Sequence, residues 1–321
     1  MTTEFDLIER YFRRLGGTRP GIVQGIGDDC ARVTLPPGSE LAVSIDTLVA
    51  GVHFPEFTSP EDIGWKSLAC GLSDLAAAGA EPAWATLAIT LPHGPDPDAW
   101  LDAFVHGFGE LGAAHGLALI GGDTTSGPLS VTVQVAGHVP AGAALGRGGA
   151  RPGDAVCVSG WPGEAAAALT QLQCGAPEVD HHLYRRLSRP EPRVALGLAL
   201  RGRASACIDV SDGLAADLGH VIEAGGVGAV LDLDALPVSS TLAAAGDTAA
   251  VRDWILHGGD DYELCFCLPA ERLDTLRAEL GPEPPLSRIG HVVAEPGLWA
   301  RDGADATPGP LDPRGYRHFH D

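Results

Sequence analysis

The chain has 321 residues, which is long for one hydrophobic core and predicts two domains of about 150 residues each. Hydrophobic residues make up 45% and charged residues 20%, a composition that favours a folded globular protein over a disordered one. The formal net charge of −21 argues against a nucleic-acid-binding protein, and it requires a cation wherever this protein binds a phosphate.

The sequence shows no export signal and no membrane span. Residues 1–6 lack the basic and apolar regions of a signal peptide, and no apolar run approaches the roughly 18 residues that a span needs. The seven cysteines include no C-x-x-C pair, so we expect buried free thiols in a reducing compartment. We therefore expect a cytoplasmic protein. Lys66 is the only lysine, and we expect it to be a solvated helix residue, with pairing to a carboxylate as the less favoured alternative.

Apolar periodicity predicts the elements of the first half in chain order. They are a helix over 4–15, strands over 41–45 and 84–91, helices over 59–78 and 97–115, and strands over 117–120 and 130–139. The helix at 59–78 has the clearest start, because a hydroxyl cap at Ser59 precedes Pro60 at the first helical position, and Asp62 follows at the third. Gly79 should end it.

Residues 140–152 are rich in Gly, Ala and Pro without periodicity, so we predict the domain boundary there, with domains over 1–140 and 141–321. Beyond it we predict strands over 155–159, 204–210, 229–233 and 262–268, and helices over 164–173, 193–200, 214–224 and 271–280. Strand and helix alternate in both halves, which predicts an α/β or α+β fold.

Six short segments combine glycine or serine with aspartate next to apolar runs. They are residues 25–29, 44–47, 72–75, 121–125, 209–213 and 257–261. Any one of them is more simply interpreted as a turn, since glycine and aspartate are turn residues. Asp74 does not fit that interpretation, because it lies inside a predicted helix between Leu72 and Leu75, where a buried carboxylate is costly unless it is paired or metal-bound.

Together the segments predict a magnesium site for a polyphosphate. Aspartates at strand ends can converge on Mg²⁺, which prefers carboxylate and phosphate oxygens. Such a site explains how an acidic protein binds phosphates, because several carboxylates beside a polyphosphate would otherwise repel it by many kcal/mol. The sequence contains neither a P-loop nor the motifs of protein kinases, so a phosphotransferase of this kind depends on metal ions.

In order and spacing, six strings resemble the thiamine-monophosphate kinase family. They are GIGDD, DTLVAGVHF, DIGWKSLACGLSDLAAAGAEP, LIGGDTTSGP, IDVSDGLAADLGH and GGDDYEL, and the resemblance extends from about Phe5 to Phe319. The family belongs to a superfamily with aminoimidazole ribonucleotide synthetase and selenophosphate synthetase. The resemblance implies the two-domain fold of that superfamily, an N-terminal domain with the Mg/ATP loops that pairs in a homodimer, and a C-terminal domain that completes the site.

The resemblance also implies an activity and a site. The reaction is transfer of the ATP γ-phosphoryl group to thiamine monophosphate, which gives thiamine diphosphate, the last step of its biosynthesis. The implied magnesium ligands are Asp29, Ser44, Ile45, Asp46, Asp74, Asp123, Asp209 and Asp212. The implied ATP contacts are Gly121, Gly122, Arg147 and Ser211, and the implied thiamine contacts are His53, Asp260 and Tyr316. No general base is implied, and Asp29, Asp74 and Asp209 are central to metal-assisted transfer.

Two positions depart from the family pattern. Ile45 stands where threonine is usual, which leaves only a backbone carbonyl as a metal ligand, and Ser126 stands where arginine is frequent. Two other functions stay open. One is a sister ATP-dependent synthetase reaction, although Cys30 does not lie in the glycine-rich segment that selenophosphate synthesis would need. The other is an inactive metal-binding or scaffold protein, against which six retained acids argue.

Overall fold

The computed structural model describes residues 4–17, 19–92, 97–175 and 179–318. Residues 1–3 and Phe319, which the sequence analysis used, lie outside the described residues. The chain divides into two units: an N-terminal unit up to residue 75 with residues 80–142, and a C-terminal unit of residues 76–79 with those from 143 onward.

The N-terminal unit contains three α-helices and six strands among its described residues. The helices are α1 (Glu4–Leu7), α2 (Pro60–Ala77) and α3 (Pro97–Ala114). The strands are β1 (Ile22–Gln24), β2 (Arg32–Val33), β3 (Ser39–Val49), β4 (Glu81–Leu91), β5 (Ala118–Ser126) and β6 (Ser130–Pro140). β1 and β2 form a short antiparallel pair. The other four form one sheet in the order β3-β6-β4-β5, in which only the β4–β5 pair is parallel.

Two glycines let α2 and α3 approach closely. A Cβ on Gly64 would lie 2.2 Å from the carbonyl oxygen of Phe104, and one on Gly107 would lie 2.0 Å from that of Glu61. The apolar faces of both helices are buried, with Leu72 of α2 and Phe104 of α3 both fully inaccessible. This tight pairing fixes α2, and with it the position of Asp74.

The C-terminal unit contains seven α-helices and seven strands among its described residues. The strands are β7 (Asp154–Ser159), β8 (Ala206–Asp209), β9 (Gly228–Asp232), β10 (Leu264–Pro269), β11 (Leu286–Val293), β12 (Gly297–Arg301) and β13 (Gly309–Pro310). The helices are α4 (Glu164–Gln173), α5 (His181–Ser188), α6 (Val194–Leu200), α7 (Leu214–Gly225), α8 (Ser240–Ala245), α9 (Thr248–His257) and α10 (Leu273–Leu280).

The seven strands of this unit form one sheet in the order β13-β12-β9-β11-β7-β10-β8. The β12–β9 pair is parallel and the other pairs are antiparallel. β7, inside the sheet, and β8, at its edge, are mostly apolar and fully buried. They pack with Leu214, Leu218 and Ile255 of the helices into one hydrophobic core. This core holds the ends of β8 and β10, from which the acidic loops of the unit extend.

Several sequence predictions differ from the structure. The first helix spans the expected segment but is irregular, because α1 continues as a π-helix (Ile8–Phe12) and a 3₁₀-helix (Arg13–Gly16). The short buried strand predicted over 117–120 extends to Ser126, since the glycines and polar residues of 121–126 pair with β4, and this second half is largely exposed. Asp46 and Asp123 therefore lie within strands and not at strand ends.

The prediction that Lys66 is solvated is wrong. Its side chain is only 2% exposed, because it lies in α2 among residues that form the core. All seven cysteines are free thiols, of which five are buried, as expected. Among the described residues, no helix combines the length and the apolar character needed to cross a lipid bilayer.

Candidate active site

The N-terminal unit brings three predicted ligands together at β3 and α2. Ser44 and Asp46 alternate along β3 and share a face, and the Ser44 hydroxyl donates a hydrogen bond to a carboxylate oxygen of Asp74. The Oδ2 atom of Asp46 is buried and has no hydrogen-bond partner among the described residues. Burial, and after it the negative charge of Asp74, raises the pKa of the Asp46 carboxyl from its ordinary 3.8 to about 6.

This cluster fits a hard cation. A buried carboxylate oxygen without a hydrogen bond is costly, and a second carboxylate beside it adds repulsion. A divalent cation resolves both, because it coordinates the unpartnered oxygen and favours the ionised form of Asp46. The side chain of Ile45 lies on the opposite face of β3 and is 64% exposed. An oxygen there would not face Asp74, so the departure at Ile45 leaves the Ser44–Asp46–Asp74 cluster intact.

Two acidic segments of the same unit line one cavity of about 870 Å³. The two segments are residues 27–29 and 121–124, which include Asp29, Asp123 and the glycine pair Gly121–Gly122, and the polar lining also includes Asp6, Glu9, Arg13 and Thr86. Gly122 is required by close approach, since a Cβ would lie 1.9 Å from the carbonyl oxygen of Leu87. The carboxylates of Asp29 and Asp123 lie on exposed residues, so a ligand in this cavity would contact both acids and bare backbone.

His53 lies in a tight turn after β3. Its Nδ1 accepts a hydrogen bond from the backbone N–H of Val49 at 3.0 Å, so in the neutral ring the proton is on Nε2. The residue is half-buried and does not line the 870 Å³ cavity. Nε2 is therefore the donor atom of the neutral His53 ring.

In the C-terminal unit, two acidic loops are bonded to each other. Asp209 ends β8 and residues 210–213 follow it, while residues 258–263 lead into β10. The N–H of Asp260 donates to the carbonyl of Ser211 at 2.9 Å, and that of Tyr262 donates to the carbonyl of Val210 at 2.8 Å. Gly259 has no room for a side chain, because a Cβ would lie 2.3 Å from the Ser211 carbonyl oxygen. The two loops thus form one rigid body with Asp209, Ser211 and Asp260 on it.

The second loop is strained. Asp260 and Tyr262 both have positive φ, 65° and 52°, although neither is glycine. The Tyr262 hydroxyl donates to the Asp260 carboxylate at 3.1 Å, which orients that carboxylate. Two residues in the left-handed backbone conformation need strong anchors to hold the loop in place. The two acids at the alternate positions of the loop provide them.

Those anchors are Asp261 and Glu263. Both oxygens of Asp261 accept from the N–H of Gly163, at 2.9 and 2.8 Å, and burial raises its pKa well above the ordinary value. Glu263 is fully buried and accepts from Arg193, Arg186 and Ser159. Burial alone would raise the pKa of Glu263, but the two guanidinium groups, Arg193 foremost, hold it below the ordinary value.

Asp212 and Tyr316 line a second cavity, of about 730 Å³, within the C-terminal unit. The N–H of Tyr316 donates to the carbonyl of Asp212 at 3.0 Å, and the ring of Tyr316 is 48% exposed. Burial raises the pKa of Asp212, while the charges of His220, His318 and Arg147 oppose that rise. Arg147, an exposed residue of a short 3₁₀-helix, therefore acts electrostatically on this acid.

Sequence reasoning missed the acids that hold the loops. Asp217, Asp261 and Glu263 are buried and bond to loop backbone or to arginine. A signal for Asp217 was present, since it lies between Ala216 and Leu218 in a predicted helix, just as Asp74 lies between leucines. The two arginine partners of Glu263 come from α5 and the segment before α6, 77 and 70 residues away along the chain, and no local pattern indicates them.

Comparison with known proteins gives consistent matches along the chain. Residues 27–139 match the AIR synthase related protein N-terminal domain, and residues 151–302 match the corresponding C-terminal domain. The sequence is 48% identical to thiamine-monophosphate kinase of Salmonella typhimurium, over 98% of both chains.

Solved structures agree. The crystal structure of thiamine-monophosphate kinase from Stenotrophomonas maltophilia is 46% identical, with a TM-score of 0.86 over 94% of this chain and 98% of that one. AaThiL complexed with AMPPCP and TMP is 27% identical, with a TM-score of 0.78 over 98% of this chain and 97% of that one. The predicted fold class and two-domain architecture are confirmed.

Proposed function

Because the chain belongs to the thiamine-monophosphate kinase family, we propose that it transfers the γ-phosphoryl group of ATP to the phosphate of thiamine monophosphate. The products are thiamine diphosphate and ADP. One observation carries the chemistry: Asp46 Oδ2 is a buried carboxylate oxygen without a hydrogen-bond partner among the described residues, it lies near the negative charge of Asp74, and this arrangement suits a cation. A kinase without a P-loop lysine needs such a cation to hold a polyphosphate beside its own acids.

The proposal assigns magnesium to the acidic segments. The residues that would hold it are Asp29, Ser44, Ile45 through its backbone carbonyl, Asp46, Asp74, Asp123, Asp209 and Asp212. Bound magnesium ions would supply charge neutralisation between these carboxylates and the phosphates. Asp29, Asp74 and Asp209 are the central members of the set. Ser44 orients Asp74 through its hydrogen bond.

ATP is assigned to Gly121, Gly122, Arg147 and Ser211. The glycine pair leaves its backbone open to the 870 Å³ cavity. Arg147 is exposed and supplies a fixed positive charge for a phosphate. Since Ser126 supplies none, Arg147 takes the larger share of that role. Ser211 is held by the two bonded loops, so its position is fixed before the nucleotide binds.

Thiamine is assigned to His53, Asp260 and Tyr316. The thiazolium ring of thiamine is a cation, which the oriented carboxylate of Asp260 would attract. The half-exposed ring of Tyr316 offers a face for stacking, and the Nε2–H of His53 offers a donor. None of these three residues needs to transfer a proton in the proposed reaction.

The reaction needs no general base. The attacking atom is a phosphate oxygen that is already anionic at neutral pH, so the protein only has to hold the two phosphates in line and reduce their repulsion. The rigid loops of the C-terminal unit and the cluster on β3 and α2 are suited to positioning of this kind. The acids act as ligands and not as proton acceptors.

The proposal includes a homodimer in the cytoplasm. Leu41, Val43 and Ile45 form an exposed apolar row on β3, at the edge of the N-terminal sheet, and a second copy of the chain would cover it. Seven free thiols, five of them buried, suit a reducing compartment.

Purified protein mixed with ATP, MgCl₂ and thiamine monophosphate should form thiamine diphosphate, measured by chromatography. Unphosphorylated thiamine should give no product, and EDTA should abolish the reaction. Asp74→Asn should lower kcat at least about 100-fold, because it disturbs the arrangement of ligands. Asp274→Asn is the matched control, since the side chain of Asp274 is 91% exposed on α10, and it should leave kcat unchanged.

One result would refute the proposed reaction, and another would refute the assignment of magnesium. Absence of product under saturating ATP and magnesium would exclude this reaction and favour a sister ATP-dependent activity. Full activity in EDTA would retain the reaction but exclude the assignment of magnesium.

A further inference from the structure

Asp217 lies beneath the loop that carries Ser211 and Asp212. It belongs to the first turn of α7 and is only 3% exposed. One of its carboxylate oxygens, Oδ2, accepts three hydrogen bonds, from the backbone N–H groups of Ser211, Asp212 and Gly213, each at 3.1 Å. A single acid thus satisfies three successive amides that precede the helix.

This arrangement differs from an ordinary helix cap. A capping side chain precedes the helix and accepts from the amides of its first turn. Asp217 lies inside the helix and reaches back to amides outside it. Three successive N–H groups that converge on one point form a concavity for an anion, and the carboxylate of Asp217 fills it. The amides of the loop are therefore turned inward.

The same loop supports two other site residues. The carbonyl of Ser211 accepts from the N–H of Asp260, and the carbonyl of Asp212 accepts from the N–H of Tyr316. Displacement of residues 211–213 would therefore shift the backbone that positions the assigned ATP, magnesium and thiamine contacts of this unit.

From this geometry we propose that Asp217 is a positioning residue for the reaction: it sets the Ser211–Asp212–Gly213 backbone in the conformation that presents the loop to substrate. It contacts neither substrate nor metal. The inference rests on the proposed kinase function for its kinetic consequence, but the hydrogen bonds that it invokes are independent of that function.

The alternative is that Asp217 only stabilises the fold. Asp154 provides a matched comparison in the same unit. It is also buried, at 6% exposure, and it also accepts from a backbone N–H, that of Arg151, and from the hydroxyl of Ser205. Its turn carries none of the assigned site residues.

The test compares Asp217→Ala, Asp217→Asn and Asp154→Asn in the full chain. Asp217→Ala should lower kcat about 100-fold, the effect of a displacement near 1 Å, with a much smaller change in KM for either substrate. Asp217→Asn retains an acceptor oxygen without its charge, so it should recover part of that loss. Asp154→Asn should lower the thermal midpoint and leave kcat within about twofold.

Hydrogen exchange provides a readout that needs no activity. The amides of residues 211–213 should exchange faster in both Asp217 variants and at the wild-type rate in Asp154→Asn. Equal kcat losses in Asp217→Asn and Asp154→Asn, or unchanged exchange of these amides, would overturn the proposal. If the wild-type protein forms no thiamine diphosphate, the kinase function fails by itself, and the exchange rates still decide whether Asp217 holds the loop. If Asp217→Ala does not fold, the asparagine variant decides both readouts.

Discussion

Asp46→Asn should make the metal-free protein more stable while it disables the site. The pKa of Asp46 is about 6 in the folded protein, against an ordinary value of 3.8. An acid whose folded pKa is raised loses stability as the pH rises through that interval. At roughly 1.4 kcal/mol per pH unit, ionised Asp46 costs up to about 3 kcal/mol at pH 8, and partial solvent exposure reduces this to between about 1 and 3 kcal/mol.

Asparagine removes this cost, because it is neutral at every pH and carries no charge for Asp74 to repel. Urea unfolding in EDTA should therefore show the variant to be more stable than the wild type at pH 8. The advantage should fall by about half at pH 5 and nearly vanish below about pH 3, where Asp46 is protonated in both states. Asp274→Asn, at a highly exposed carboxylate, should match the wild type throughout.

Magnesium should reverse the order of stability. An ion that binds only the folded state stabilises it according to its concentration, so the wild type should gain and Asp46→Asn should gain much less. The reasoning is refuted if Asp46→Asn is less stable than the wild type at pH 8 in EDTA, or if its advantage does not depend on pH. Either result would mean that the Asp46 carboxylate is satisfied without a cation.

Glu263→Gln should lower the free energy of unfolding by about 3–5 kcal/mol, since it removes the fully buried carboxylate that Arg186 and Arg193 share. Glu191→Gln, on a half-exposed carboxylate paired with Arg193, should cost below about 1 kcal/mol in urea unfolding. Gly64→Ala should destabilise by at least about 2 kcal/mol in thermal unfolding, because the new Cβ would lie 2.2 Å from a carbonyl oxygen of α3. Val43→Glu should convert a dimer to monomers in sedimentation, since it places a charge in the exposed apolar row of β3.

Each of these predictions has an outcome that contradicts it. Equal effects of the two glutamine variants would mean that Glu263 is not held as an ion pair. If Gly64→Ala does not lower the stability in thermal unfolding, α2 and α3 can move apart at little cost in free energy. A Val43→Glu protein that sediments like the wild type would exclude this face as the dimer interface.

The sequence predicted α2 well because its signals are local. Ser59 caps the helix as expected, with its hydroxyl accepting from the N–H of Asp62 at 3.1 Å, and Gly79 follows the end with φ of +64°. In contrast, β11 carries a bulge between Arg288 and Gly290, which interrupts the alternation that reveals a strand. Only its pairing with β7 and β9 makes it recognisable.

The candidate site was predictable in its residue types but not in its grouping. Asp74 was recognisable because it is an acidic residue in an apolar stretch of a predicted helix. The structure places it near Asp46. Which acids share a cavity depends on strand register and on close contacts such as that of Gly122 with Leu87, and these are tertiary facts. The support from Asp217 depends on a backbone conformation that no sequence spacing indicates.

The burial of Lys66 has a practical consequence. It is the only lysine of the chain, and it is 2% exposed in the core side of α2. Amine-reactive labels should therefore leave every side chain of the folded protein unmodified. The rate of modification at Lys66 would instead report the opening of α2 at that one position, on a background free of other lysine side chains. The chain thus carries its own probe for the stability of the helix that presents Asp74.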